Sequence, residues 1–164
     1  MSDRKKLREL TVGAKRPVRV EIVEFVNDNG RLRKPRAAAP LLRADGSRAE
    51  VLGDALTVDP DAALERVSFE VRAPTIKQRN NASRSAGYSG DDKAARDPLK
   101  FQLLTMIENT YVPGTQARVF ELADLASLEA EAPGSYVDVL GQRAVAMMAV
   151  DVEDAAEKSA ATAS

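Results

Sequence analysis

The chain has 164 residues and a formal net charge of −1, and aromatic residues make up only 4% of it. A chain of this length is typical of one domain, and folding removes roughly 70% of the surface of such a chain from water. The sequence contains no cysteine and no histidine, which excludes disulfides, thiolate nucleophiles and Ser-His-Asp triads. We therefore expect a protein that is not an enzyme, with no catalytic, cofactor-binding or metal-binding residues.

The charge is distributed unevenly along the chain. Basic residues concentrate near the start and acidic residues dominate after Phe120. This asymmetry suits self-association or an acidic partner, although a solvated surface without a partner explains it equally well. The longest apolar stretch, Ala144 to Val150, is far shorter than the roughly 20 residues of a membrane-spanning helix. With a charged start that does not resemble a signal sequence, the expected location is the cytoplasm.

The first elements in chain order are a short helix and a strand. Ser2 to Leu10 predicts a weak helix. Val18, Val20 and Ile22 alternate with charged residues, which predicts a half-buried strand from Val18 to Phe25 with these three side chains towards the core. Farther along that strand Val23 and Phe25 change face, which indicates a bulge or burial on both sides.

A turn, an insertion and a second strand follow. Asn27 to Gly30 has the composition of a hairpin turn. Residues 31–60 read as a mobile insertion that contributes β-pairing. Val67, Phe69 and Val71 alternate with polar residues and predict a strand that ends at Pro74. Residues 1–74 are therefore expected to form a β-rich part.

Two helices are expected next. Thr75 is a plausible N-cap for a helix to Ala86, and Asp97-Pro98 begins a stronger one. The buried stripe of the stronger helix is predicted to contain Leu99, Leu103, Met106 and Ile107. That helix should end near Thr110, where Pro113 and Gly114 would turn the chain into the next helix.

The remaining helices complete the expected fold. One helix contains Leu122, Leu125 and Leu128 and ends at Pro133-Gly134. The last begins after Ser135, and its inward residues are predicted to be Val137, Leu140, Ala144 and Met148, with Val145 and Met147 at the edges. Residues 75–150 would form a helical domain and 151–164 an acidic, disordered tail. The predicted class is α+β, a small antiparallel sheet packed with a C-terminal helical bundle.

Three local clusters contain residue types that can take part in catalysis or in metal, phosphate or nucleic-acid binding. The carboxylates of Asp91, Asp92 and Asp97 are more typical of helix caps than of a metal or catalytic site. The stretch from Gly87 to Gly90 lacks the spacing of a phosphate-binding loop. The cations of the segment 77–84, followed by Tyr88, could contact nucleic acid, but the pI of about 5.6 and the scarcity of aromatic residues argue against it.

Several short stretches, taken in order, carry a family resemblance. They are Lys6 to Gly13, Val71 to Arg79, Tyr111 to Thr115 with Arg118-Val119-Phe120, Ala123-Asp124 with Leu128, and Ala132 to Asp138. In these stretches the chain resembles the small tail assembly chaperones of tailed bacteriophages and prophages, over Leu7 to Val26 and Val67 to Asp151. The candidate partner-binding or family-marker residues are Tyr111, Pro113, Gly114, Arg118, Phe120, Pro133, Gly134 and Tyr136. From the residues alone, Tyr111 is either a partner-facing anchor or, more commonly for such a residue, part of the core.

The resemblance implies a non-enzymatic factor that binds the long tape-measure protein and helps tail-tube subunits polymerise around it. Such a factor acts in the host cytoplasm and is absent from the mature virion. In many of these families a translational frameshift appends a second domain. Two alternatives stay open: a structural tail or head-tail joining protein of the virion, and a small nucleic-acid-binding regulator.

Overall fold

The computed structural model describes residues 3–11 and 18–148, and the predicted tail at 151–164 lies outside them. The helices are α1 (Asp3–Thr11), α2 (Ile76–Ser85), α3 (Pro98–Asn109), α4 (Leu125–Glu129) and α5 (136–148). The strands are β1 (Val20–Asp28), β2 (Arg31–Arg33), β3 (Ala39–Pro40), β4 (Glu50–Val51), β5 (Asp54–Ala55), β6 (Thr57–Val58), β7 (Glu65–Arg72) and β8 (Thr110–Tyr111). The predicted α+β class, with a small antiparallel sheet and C-terminal helices, is confirmed.

The main sheet has four antiparallel strands in the order β2-β1-β7-β8. The predicted hairpin turn joins β1 to β2, with Asn29 and Gly30 both at positive φ and the Gly30 amide donating to Asn27 Oδ1 at 2.8 Å. β7 pairs with β1 without interruption from Val20 opposite Arg72 to Asn27 opposite Glu65. The short β8 joins the far edge from the helical half of the chain, so the sheet includes residues from both halves.

The two faces of β1 are reversed relative to the sequence prediction. Phe25 is fully buried and belongs to the core with its face neighbour Val23, whereas Val20 and Ile22 are 49% and 53% exposed. We call the face of Val23 and Phe25 the inner face and the opposite one the outer face. The predicted orientation of Val18, Val20 and Ile22 is therefore wrong. The continuous register shows no bulge, and burial on both sides holds at Phe25 and Val26, which are both 0% exposed.

The core lies between the inner face of the sheet and the helices. It unites sheet residues such as Phe25, Phe69 and Val71 with helical residues such as Met106 and Leu140. Burying a large apolar side chain contributes roughly 1.5 to 3 kcal/mol, so this shared core holds the two halves of the chain together.

The helix starts follow their capping residues. Thr75 forms a capping box with Gln78, and the Asp97 side chain accepts from the Lys100 amide at 2.9 Å with Pro98 in the first position, as predicted. These caps satisfy amides that have no partner inside a helix.

Two of the predicted helix faces need correction. Leu99 is 51% exposed, because it lies in the first turn of α3 at the mouth of a groove rather than under its neighbours. In α5 Met147 is 2% exposed and Met148 half-buried, the reverse of the prediction. The inward series Leu140, Ala144, Met147 uses steps of four and three residues, which follow the helical period of 3.6.

The inserted segment forms a β-arm, which we define as residues 39–58. β3 pairs with β6 and β4 with β5, so the β-pairing predicted for this insertion is confirmed. The side chain of Asp61, 1% exposed, anchors its base by accepting from Arg33 at 2.7 and 3.1 Å and from the Arg36 amide at 2.7 Å. These bonds, mainly those from Arg33, lower the pKa of Asp61 to about 2. Among residues 3–11 and 18–148, none of the helices has both the length and the apolar composition of a membrane-spanning segment.

Candidate protein-binding site

Four of the eight candidate residues lie on a β-hairpin at the edge of the sheet. Tyr111 pairs with Arg118, and between them the Thr115 amide donates to the Val112 carbonyl at 3.1 Å across Pro113 and Gly114. Proline in the second position and a glycine at φ +74° in the third are the requirements of a type II turn. The expectation that Pro113 and Gly114 turn the chain directly into the next helix is therefore wrong, because this turn closes a hairpin instead.

Tyr111 lies on the outer face of the sheet, opposite Glu70 in β7. The Arg72 guanidinium covers its ring at 3.8 Å from the centroid and also donates to Glu70 Oε2 at 2.6 and 2.8 Å. The same guanidinium donates to Gln116 Oε1 at 2.8 Å and to the Thr115 carbonyl. Arg72 thus fixes the hairpin to the sheet. Half-buried Tyr111 is part of this outer-face cluster and not of the core.

Phe120 and Tyr136, by contrast, belong to an aromatic cluster on the inner face. Both rings stack on Phe69, at centroid distances of 6.3 and 6.2 Å, and Phe25 approaches Phe69 edge-on at 5.8 Å. Phe120 is 8% exposed, and burial raises the pKa of the half-buried Tyr136 phenol. Such ring pairs add about 0.5 to 1.5 kcal/mol beyond their buried area. Both rings therefore contribute to the packing between the sheet and the helices.

Pro133 and Gly134 form the exposed turn before α5. Gly134 has φ +76°, and its amide donates to Asp138 Oδ2 at 3.0 Å. The other oxygen of Asp138 accepts from Gln102 Nε2 at 3.1 Å, and these bonds, led by that of Gln102, lower the pKa of Asp138. The turn is thereby linked to α3 as well as to α5.

An apolar groove opens between α3, α4 and the start of α5, with a volume of about 370 Å³. Its apolar lining consists of Leu99, Leu103, Leu128, Ala132, Pro133 and Val137. The remaining lining is polar or acidic, with carboxylates from Glu129, Glu131 and Asp138 and no basic side chain. Concave apolar surfaces with a few polar groups are the usual form of binding sites. We call this the α3–α5 groove.

Sequence reasoning missed Leu99 as a component of this groove. The 3.6-residue period placed Leu99 on the buried stripe with Leu103, which is 1% exposed. Leu99 directly follows Pro98, the first residue of α3. This position at the start of the helix is the feature of the sequence that distinguishes Leu99 from Leu103.

A second, larger cavity of about 650 Å³ lies between the β1–β2 hairpin and the start of α5. Charged side chains of both signs line it, including Asp28, Arg33 and Lys34. Arg33 already binds Asp28 at 2.9 Å as well as Asp61. This cavity therefore has a polar character that differs from that of the α3–α5 groove.

The β-arm presents a further apolar surface. Leu52 and Gly53, at φ +53° and +84°, form the turn between β4 and β5, and Leu52 is 99% exposed. A leucine at positive φ is uncommon, and turns of this shape normally use Asn, Asp or Gly there. None of the eight candidate residues lies in this arm.

Asp92, Asp97 and Tyr88, from the three clusters named above, have structural roles. Asp92 accepts from the Ala94 amide at 2.9 Å, and Asp97 caps α3. Tyr88 packs against Phe101 with a centroid distance of 5.6 Å. Across residues 3–11 and 18–148, no group of three acidic residues is arranged to hold a metal ion.

Comparison of the chain with protein-family models, curated proteins and solved structures finds no match. The family resemblance stated from the sequence is therefore still a prediction.

Proposed function

We propose that this protein is a non-catalytic tail assembly chaperone of a tailed bacteriophage or prophage. It binds the tape-measure protein in the host cytoplasm, promotes assembly of the tail tube around it and is absent from the mature virion. The proposal combines the sequence resemblance with one structural observation, the exposed α3–α5 groove. Two of the stretches that carry the resemblance contribute to the wall of this groove, through Leu128 and through Pro133 and Val137.

The groove suits a helical client. An amphipathic helix presents apolar side chains three and four residues apart, and such anchors bind in hydrophobic grooves. A volume of about 370 Å³ accommodates a few large side chains of a helix, with the rest of the helix outside. The carboxylates of Glu129 and Glu131, both exposed residues that line the groove, favour clients with lysine or arginine beside the apolar anchors.

The experiment is co-purification of this chain with the tape-measure protein encoded in the same genome. Leu99→Glu places a charge at the mouth of the groove and should reduce the recovered tape-measure protein at least tenfold. Ile76→Glu is the matched control, because Ile76 is 72% exposed and does not line the groove. Equal recovery with both variants, at unchanged thermal stability, would contradict the groove as the client site.

The β-arm favours a second candidate function, a structural tail or head-tail joining protein. An extended arm with the fully exposed Leu52 at its tip suits a lasting contact between subunits. Mass spectrometry of purified particles distinguishes the two functions. A chaperone is missing or present in traces, whereas a joining protein is present in stoichiometric amounts.

A further inference from the structure

One edge of the main sheet is largely open. β1 pairs with β7 from Val20 to Asn27, but on its other side it pairs with β2 only from Val26 to Asp28. Within the residues that the structure describes, no strand pairs with the β2-side edge of the first six residues of β1. The outer strand β2 is thus too short to cover β1.

The register determines which backbone groups face that open edge. The Arg19 carbonyl accepts from the Ala73 amide at 2.9 Å, so Arg19 points its backbone groups towards the β7 side. Along an antiparallel strand, the backbone amide and carbonyl groups of successive residues point alternately to one side of the strand and to the other. The amides and carbonyls of Val20, Ile22 and Glu24 therefore point away from β7, towards the open edge.

The β1 edge has one of the usual protections of a sheet edge and lacks the others. Natural edges are commonly blunted by proline, by charged side chains, especially lysine, or by a bulge. Residues 18–25 contain no proline or lysine and the pairing with β7 is free of bulges, whereas Arg19, Glu21 and Glu24 are charged. Val18, Val20 and Ile22 also leave a stripe of apolar side chains on the outer face, 59%, 49% and 53% exposed. The β1 edge can therefore pair with another strand, and such a strand would cover part of the exposed apolar stripe.

The sequence of the edge is complementary to itself in one register. Backbone pairing requires even-numbered residues of one copy opposite even-numbered residues of the other. A two-fold axis at Val20 places Val20 opposite Val20, Ile22 opposite Val18, and Arg19 opposite Glu21 of the second copy. Opposite charges across a strand pair stabilise it, and in this register Glu21 would face Arg19 of the second copy in addition to Arg143 of its own chain, which is 3.5 Å away. An axis at Glu21 would instead place two like charges together.

We propose that two copies of this protein associate through antiparallel pairing of their β1 edges, centred on Val20. The pairing joins two four-stranded sheets into one and makes the apolar stripe continuous across the axis. Among the residues that the structure describes, 18–22 of each copy form the contact, and so short a contact buries much less area than the roughly 1,200 Å² of a standard stable interface. The dimer is therefore concentration-dependent. It uses a surface separate from the α3–α5 groove, so its test is independent of the client-binding test.

Cysteine cross-linking tests this register, because the chain contains no cysteine of its own. Residues opposite each other in a hydrogen-bonded pair have Cα atoms about 5.5 Å apart, within the range of a disulfide. Val20→Cys should form a disulfide dimer under mild oxidation. Ile22→Cys alone should not, but a mixture of Ile22→Cys with Val18→Cys should give the mixed dimer. Ile76→Cys, at a site 72% exposed, measures cross-linking by random collision.

The expected result is at least tenfold faster dimer formation for Val20→Cys than for Ile76→Cys, with circular dichroism showing both variants folded. Sedimentation equilibrium of the unmodified chain should show a mass that rises with concentration, and Val20→Lys should remain monomeric. A constant monomeric mass up to about 100 μM, with equal cross-linking of the two cysteine variants, would overturn the proposal. Faster self-cross-linking of Ile22→Cys than of Val20→Cys would overturn it too, because the register and its charge pairs would be different.

Discussion

Replacing Gly87 by alanine should destabilise this protein more than an ordinary glycine substitution. Gly87 lies between α2 and the loop to α3 at φ +82°, and a Cβ there would be 2.3 Å from the Ala95 carbonyl oxygen. The neighbouring backbone is fixed, because the Asp97 amide donates to the Ala86 carbonyl at 2.9 Å. The methyl group therefore meets backbone atoms that cannot rotate away.

The expected loss has two components. An L-residue in the left-handed region costs roughly 1 to 2 kcal/mol relative to glycine, partly offset by the lower chain entropy of the unfolded state. Forcing a methyl group into occupied space costs typically 1 to 3 kcal/mol more. We expect Gly87→Ala to lower the free energy of unfolding by about 2 to 4 kcal/mol in total.

Gly134→Ala is the matched control, since Gly134 has φ +76° but no atom within 4 Å of an added Cβ. Its expected loss is about 1 kcal/mol, from backbone conformation alone. Urea unfolding followed by far-ultraviolet circular dichroism measures both variants. Equal losses would refute the reasoning, because they would show that the Ala95 carbonyl does not restrict position 87.

The remaining predictions concern the core, the arm and the hairpin. Leu103→Ala removes a side chain that is 1% exposed and should lower the free energy of unfolding, measured in urea, by about 2 to 5 kcal/mol. Leu99→Ala, at a side chain that is 51% exposed, should lower it by less than about 1 kcal/mol. Similar losses for the two variants would contradict the packing of α3. The pKa of Asp61 in the folded protein lies below its unfolded value of about 3.9. The ionised carboxylate therefore contributes to the stability of the fold above pH 4, and this contribution is lost as the pH falls towards 2. The unfolding midpoint of Asp61→Asn should therefore change less than that of the parent chain between pH 6 and pH 2.5, and parallel curves would exclude this role. Arg72→Lys loses the planar fork that binds both the sheet and the hairpin, so hydrogen exchange should accelerate in the hairpin, and unchanged exchange would argue against that anchoring.

The α+β class and the main element boundaries could be predicted because they depend on local chemistry. Alternating apolar residues mark β7, and Asn27 to Gly30 supplies the positive φ angles of the first hairpin. Thr75 and Asp97 cap the helices that follow them. Each of these signals acts within a few residues of the chain, where sequence and geometry correspond directly.

The candidate residues were predicted as one group, and the structure divides them. Tyr111 was expected either in the core or facing a partner, but pairing with β7, some 40 positions earlier, places it on the outer face beneath Arg72. Phe120 lies only nine positions later, yet it stacks on Phe69 on the inner face. Residue type alone does not distinguish these environments, because an aromatic ring suits both.

The sequence by itself determined the periods of β1 and α3, the caps, the turns and the absence of histidine and cysteine side chains. Only the tertiary structure decided which side of each period is buried. Val20 and Ile22 have the alternation of a buried face, yet they face outwards because Val23 and Phe25 on the other face pack in the core beside Phe69. An alternating pattern specifies two faces, and the choice between them depends on which face the distant helices cover. That choice leaves the apolar side chains of Val20 and Ile22 exposed on the outer face.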